Sequence, residues 1–167
     1  SQWEELKKDA GEKGIRLIGD LPIFISHDSA DVWCNPHLFE LDAEGNPLKV
    51  AGVPPDYFSE KGQLWGHPHY RWGEMEKDNY RWWEERFKVL FRLVDLVRID
   101  HFRGFESYWE VPAGGKDATE GRWVKGPGEK FFFRLQEALG DFPVIAEDLG
   151  VITPEVEEMK TRLGYPG

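Results

Sequence analysis

Cysteine is nearly absent from this chain: Cys34 is the only one in 167 residues, so no internal disulfide can form. Stability must come from an apolar core, and a reducing compartment, the cytoplasm, is the expected setting. Positive charge is also scarce, with 21 Lys and Arg against 31 Asp and Glu and a formal net charge of −10 at pH 7. So acidic a surface repels phosphate backbones and anionic lipid, and no basic stripe offsets it, so nucleic acid and membrane surfaces are not expected partners. No apolar run reaches the length of a membrane span, and the start does not read as a signal peptide. The first residue is Ser1 rather than Met and the residues after it already read as helix, so the chain is expected to be a piece of something longer. Other chemistries are missing too. No Gly-rich loop follows a strand to cradle phosphate, Cys34 has no His-based dyad, and the histidines form no metal constellation, so neither cofactor nor metal is expected. His67 and His69 flank Pro68 and read as solvated loop residues.

Apolar residues make up 40% of the chain and charged residues 31%, which is the mix of a folded globular protein. Aromatics reach 14%, with 8 Trp, many beside Gly, Pro or charge. Such rings serve packing first, then interfaces and stacking on sugar rings.

Elements alternate along the chain. Trp3 to Lys13 has helical spacing and stops at Gly14, and a short apolar strand follows from Ile15 to Asp20. Residues 21–75, rich in Pro, Gly, Asp and aromatics, read as an ordered but irregular insertion with a hairpin over Phe39 to Val50 turning at Glu44-Gly45-Asn46. Asp78 to Val94 is an amphipathic helix with Trp82, Phe87, Leu90, Phe91 and Val94 on its stripe, leading to the strand Asp95 to Asp100. A Gly-rich loop, Ala113 to Gly128, precedes a third helix, Glu129 to Leu139, and a third strand, Pro143 to Glu147. Thr153 then caps a helix beginning at Pro154. Helix–strand alternation of this kind predicts an α/β fold with a parallel sheet. A complete (β/α)8 TIM barrel needs roughly 250 residues and eight strands. Three strands over residues 1–167 predict part of one, with the insertion after its first strand and the flanking barrel supplied from elsewhere.

In Leu96-Val97-Arg98-Ile99-Asp100, alternation puts Leu96, Arg98 and Asp100 on one face and Val97 and Ile99 on the other. The apolar face is expected to meet helices and the charged face to look inward. Arg98 beside Asp100 favours the ionised carboxylate. The next strand repeats the arrangement with Ile145 and Glu147. Carboxylates ending adjacent strands match glycosyl transfer, where one ionised group attacks or stabilises an oxocarbenium-like centre and one protonated group feeds the leaving oxygen. That makes Asp100 the ionised member and Glu147 the acid/base, with carboxyls expected about 5 to 5.5 Å apart for a retaining reaction.

The blocks Arg98-Ile-Asp-His-Phe-Arg-Gly-Phe105, Val144-Ile-Ala-Glu-Asp-Leu-Gly150, Gly19-Asp-Leu-Pro-Ile-Phe24 and the long Pro54 to Gly66 segment together closely resemble the amylomaltase family, bacterial 4-α-glucanotransferases of the α-amylase clan. The resemblance covers nearly the whole chain. It implies that Asp100 is the nucleophile of a retaining double displacement and Glu147 the acid/base, with sugar contacts from Arg98 and His101 and support from Asp20. It also implies that Pro54 to Gly66 lies over the cleft, with Asp56, Gln63 and Trp65 meeting glucan and Tyr57 and Phe58 lining its path. A maltooligosaccharide or other α-glucan is the implied substrate. A third carboxylate used by that clan has no counterpart here, so the chain alone is expected not to catalyse transfer. An α-amylase-like hydrolase, using water as acceptor, and a silent glucan-binding or structural piece remain alternatives.

Overall fold

The computed structural model describes all of residues 1–167. The Ser1 hydroxyl accepts the Glu4 N–H while the Glu4 carboxylate reaches back to the amino terminus, a capping box that starts α1 (Gln2–Glu12). The remaining elements are β1 (Ile18–Pro22), α2 (Ala30–Cys34), β2 (Lys49–Val53), β3 (Gln63–Pro68), α3 (Trp72–Lys77), α4 (Arg81–Leu93), β4 (Leu96–Asp100), β5 (Ser107–Pro112), β6 (Arg122–Lys125), α5 (Glu129–Leu139), β7 (Val144–Ala146) and α6 (Pro154–Leu163). None of the helices is long and apolar enough to cross a membrane.

The strands form two sheets. One is parallel, in the order β1-β4-β7, with Asp20 beside Arg98 and Arg98 beside Ile145. As the alternation of β4 predicts, Val97 and Ile99 are fully buried, while Leu96, Arg98 and Asp100 are only partly covered. Their apolar face joins Trp83 and Phe87 of α4 and Phe131, Phe132 and Leu135 of α5 in one core. β1 starts three residues later than the apolar run implies. The Asp95 carboxylate takes the Leu17 N–H at 2.8 Å, Ile15 stays exposed, and pairing begins only where Ile18 meets Leu96. The helix expected from Asp78 starts at Arg81, because Asn79 and Tyr80 adopt left-handed φ of 59° and 60° after the short α3. Its fully buried residues are Trp83 and Phe87, with Trp82, Leu90 and Phe91 packed at the edge of the core. Thr153 and Pro154 do open α6, although the Thr153 hydroxyl makes no capping bond.

The second sheet corrects the expectation of an irregular insertion. It is antiparallel, in the order β3-β2-β5-β6, and takes two strands from the insertion, one after β4, and one from the supposed loop at 113–128. The tight turn at Glu44-Gly45-Asn46 is present, with the Asp42 carboxylate accepting the Glu44 and Asn46 N–H groups. Beyond it, β2 leaves the expected hairpin to pair with β3 and β5. Gly52 permits this: a Cβ there would lie 2.4 Å from the Gln63 carbonyl oxygen of β3. A continuous core of 30 buried residues runs beneath both sheets.

Candidate active site

The tips of the parallel strands are stitched where the acidic residues stand. Ile23 N–H donates to the Asp100 carbonyl at 3.3 Å, and Glu147 N–H to the Ile99 carbonyl at 3.0 Å, so both neighbours of β4 extend past their regular pairing. Arg98 bridges the strands: its Nη1 lies 2.5 Å from Asp20 Oδ1 and its Nη2 3.1 Å from Asp100 Oδ1. The hydrogen bond to Asp20, followed by the surrounding carboxylates, holds Arg98 firmly protonated. These groups are half exposed, where ion pairs add little stability, so the bridge chiefly orients the carboxylates.

Glu147 is oriented by backbone. Its Oε2 accepts the His101 N–H at 2.9 Å and its Oε1 the Leu149 N–H at 2.7 Å. His101, the first residue after β4, has a left-handed φ of 54°, uncommon for a residue with a side chain and a mark of local constraint. Its ring is buried, edge-on to Trp65 with centroids 4.8 Å apart. Gly104 leaves room for it, since a Cβ there would sit 2.9 Å from Ile23 Cδ1 and 3.1 Å from His101 Cδ2. Burial, with the Arg103 charge adding to it, pushes His101 down to about 4, so its ring is neutral at pH 7.

β3 supplies the opposite wall. Gln63 and Trp65 share one face by alternation, with Trp65 Nε1 donating to Gln63 Oε1 at 3.1 Å. The connection from β2 turns at Gly62, whose φ of +64° and close approach to the Val53 carbonyl exclude a side chain. Asp56 Oδ1 accepts the Phe58 and Ser59 N–H groups, both at 2.8 Å, which fixes the loop tip. Together these residues enclose a cavity of about 290 Å³ lined by Asp56, Gln63, Trp65, Arg98, Asp100, His101 and Glu147. A second hollow of about 280 Å³ shares Trp65, Asp100 and His101 and extends to Phe24 and His67.

Of the residues singled out from sequence, Tyr57 and Phe58 do not line the cavity. They stand in solvent at the loop tip, 100% and 95% exposed. Asp20 reaches the site only through Arg98. His67 and His69 are not solvated, contrary to the sequence reading: His67 is partly buried, and His69 is fully buried between Phe24 and Tyr108. Burial pushes His69 down to about 4. The sequence reading gave no role to Arg103, Trp123 or Leu149 to Val151, which also line the main cavity. The one available signal was an Arg set between Phe102 and Phe105 in an otherwise apolar turn. No group of three or more His, Cys, Asp or Glu is arranged to hold a metal ion.

Comparison with known proteins fits this geometry. A family model described as 4-alpha-glucanotransferase matches residues 1–167. The chain is 59% identical over 166 residues to the 4-alpha-glucanotransferase of Thermus thermophilus, covering 99% of this chain and 33% of that protein. Against the chloroplastic/amyloplastic 4-alpha-glucanotransferase of Solanum tuberosum the identity is 49%, over 99% of this chain and 29% of that protein. Among solved structures, an amylomaltase from Streptococcus agalactiae in complex with acarbose matches with a TM-score of 0.95 and 46% identity, over 99% of this chain and 34% of that one. An amylomaltase from Corynebacterium glutamicum, at TM-score 0.84 and 23% identity, shares the fold. The chain therefore spans about a third of the length of the relatives it matches. With the family model matched from end to end, the chain belongs to the 4-alpha-glucanotransferase family, glycoside hydrolase family 77.

Proposed function

We propose that this chain is the part of a 4-α-glucanotransferase that carries its nucleophile and its acid/base. The three parallel strands are then part of a (β/α)8 barrel, and residues 1–167 part of one catalytic domain. The antiparallel sheet is an inserted subdomain over the strand tips. The substrate is a maltooligosaccharide or longer α-glucan, and the lone Cys34 suits a reducing compartment such as the cytoplasm.

In the first step an Asp100 carboxylate oxygen attacks the anomeric carbon while Glu147 delivers its proton to the leaving glycosidic oxygen. A glycosyl ester on Asp100 and a shortened glucan result. In the second, Glu147 takes the proton from a hydroxyl of an incoming sugar, and that oxygen displaces Asp100, giving net retention. Arg98 pairs with Asp100 and aims it, and neutral His101 and Gln63 offer hydrogen bonds to sugar hydroxyls. Trp65 offers an apolar face. The observation that carries the reading is the placement of Asp100 and Glu147 on adjacent strand tips, joined by the Glu147 to Ile99 bond and steered by Arg98.

The test incubates a full-length enzyme containing this segment with maltotriose. Glucose plus longer oligomers is the expected product set, lost by on the order of 10⁴-fold in kcat in Asp100→Asn. Reducing ends that rise with no longer oligomers would instead establish a hydrolase. Unchanged transfer by Asp100→Asn would overturn the assignment.

A further inference from the structure

The loop that follows Glu147 is weakly anchored by its own side chains: Leu149 is 75% exposed, Val151 49%, and Gly150 has a φ of +84°. Yet this loop must hold the Leu149 N–H on Glu147 Oε1. Two side chains reach in from outside it. Lys160 of α6 pairs with Asp148. Arg103, from the turn after β4, donates through Nη1 to the Val151 carbonyl.

Arg103 is unusual on three counts. It is 3% exposed, and no carboxylate lies within ion-pairing distance of it. Its other donors are spent on β5, Nη2 to Ser107 Oγ at 2.9 Å and Nε toward the Ser107 carbonyl at 3.4 Å. Its guanidinium also lies over the ring of Trp123 on β6, 3.9 Å from the centroid. Its nearest carboxylate, Glu106, reaches it only through the Ser107 hydroxyl, and burial outweighs that charge and weakens its hold on its proton. What it gains is a three-way tie among the turn after β4, the antiparallel sheet and the loop after Glu147, capped by an aromatic ring. Arg103, Trp123, Val151 and Glu147 all line the same cavity.

We propose that Arg103, clamped by Trp123, is a positioning residue that fastens the loop after Glu147 to the antiparallel sheet and so sets the orientation of the acid/base. The claim rests on the assignment of Glu147 made above. Only Arg has the planar fork for this site: Lys keeps the charge but can neither reach both Ser107 and Val151 nor stack as a plane. Arg103→Lys therefore separates geometry from charge. With the loop untied, Glu147 loses a fixed N–H donor and drifts. A misplacement of about 1 Å costs roughly a hundredfold in rate.

The test uses a full-length enzyme containing this segment, with maltotriose. Arg103→Lys should lower kcat by about 10- to 100-fold with KM within about twofold. A donor whose leaving group needs no proton, such as α-maltosyl fluoride, should lose far less kcat/KM in Arg103→Lys than maltotriose does, because the first step then does not call on Glu147 as an acid. Trp123→Phe retains a ring over the guanidinium and should behave nearly as wild type, while Trp123→Leu should lower kcat with maltotriose and spare the fluoride donor, as Arg103→Lys does.

Four outcomes overturn the proposal: wild-type kcat in Arg103→Lys; an equal loss with the fluoride donor; losses in Arg103→Lys that vanish when rates are corrected for the folded fraction; or a KM increase alone in Trp123→Leu, which would make the ring a sugar contact. Asp100→Asn, run in parallel, keeps the two claims apart. If it retains transfer the reaction assignment falls, whereas if it is dead and Arg103→Lys is normal only the positioning role falls.

Discussion

The parallel and antiparallel sheets divide the labour of the site in different ways. In β4 the polar residues form a clean row on one face, half exposed, with two fully buried apolar residues behind them. In β5 four of six residues are buried, among them Glu110, which is compensated by Arg122 at 3.0 Å and by Lys49. The first sheet presents charge on an open face, and the second presents rings and loop backbone on a closed frame. The difference teaches where precision comes from. The two carboxylates to which the proposal gives the chemistry, Asp100 and Glu147, stand at the tips of strands held in backbone register, while Gln63, Trp65 and Trp123 reach the cleft from the other sheet. The two meet through Trp65 on His101 and through Arg103 on Val151.

If one core serves both sheets, they should melt together. Trp83, fully buried, touches Tyr70, Phe105 and Phe131 at ring distances of 5.5, 5.7 and 5.4 Å. Trp83→Ala is expected to cost about 3 to 5 kcal/mol and to lower a single thermal transition, read by circular dichroism of the intact enzyme. Two separated transitions would break the idea of a shared core.

Acid should act on the antiparallel side and on the junction. His69 and His101 are both lowered from 6.5 to about 4 by burial. The unfolded chain binds protons at these sites first, so their contribution is level above about pH 6.5 and declines as pH falls toward 4. Glu40, raised by burial and by Glu110, works in the opposite direction and softens the slope. His69→Phe, which keeps an aromatic ring between Phe24 and Tyr108, should remove roughly half of the decline in denaturation midpoint over that range. An unchanged slope would mean that His69 is solvated in the folded protein.

A smaller effect belongs to the cleft wall. Trp65→Ala should raise KM for maltotriose about tenfold, which corresponds to about 1.4 kcal/mol of lost binding, with little change in melting. Smallest in stability are Tyr57→Ala and Phe58→Ala: with both rings in solvent, each should shift stability by no more than about 0.5 kcal/mol. A rise in KM without a change in melting would place glucan on those rings, and a wild-type KM would remove them from its path.

The parallel part of the fold was legible because alternation in Leu96 to Asp100 and helical periodicity in Glu129 to Leu139 are local signals. The antiparallel sheet was not. Lys49-Val-Ala-Gly-Val53 and Gln63-Leu-Trp-Gly-His-Pro68 carry Gly and Pro that read as turn, and what makes them strands is pairing across the chain, including β2 with β5. Arg98, Asp100 and Glu147 were readable from residue type at strand ends, whereas Asp56, Gln63, Trp65 and His101, which share their cavity, came only from the family resemblance. The two N–H donors on Glu147 were not, since they depend on the left-handed turn at His101 and on a loop held by Arg103. His69 escaped for a similar reason: a histidine beside Pro looks exposed until Phe24 and Tyr108 close around it.

The pairing of β2 with β5 also sets an order of events during synthesis. The partner of Ala51 is Glu110, about sixty residues further on. At roughly 5 to 20 residues per second, the ribosome needs about 3 to 12 seconds to deliver β5 after β2 has emerged. The β2–β3 hairpin is complete long before then, and for that interval one edge of β2 offers unsatisfied backbone groups to any strand that arrives. The nascent chain is therefore most open to mispairing, and most in need of a chaperone, while α4 and β4 are still being made.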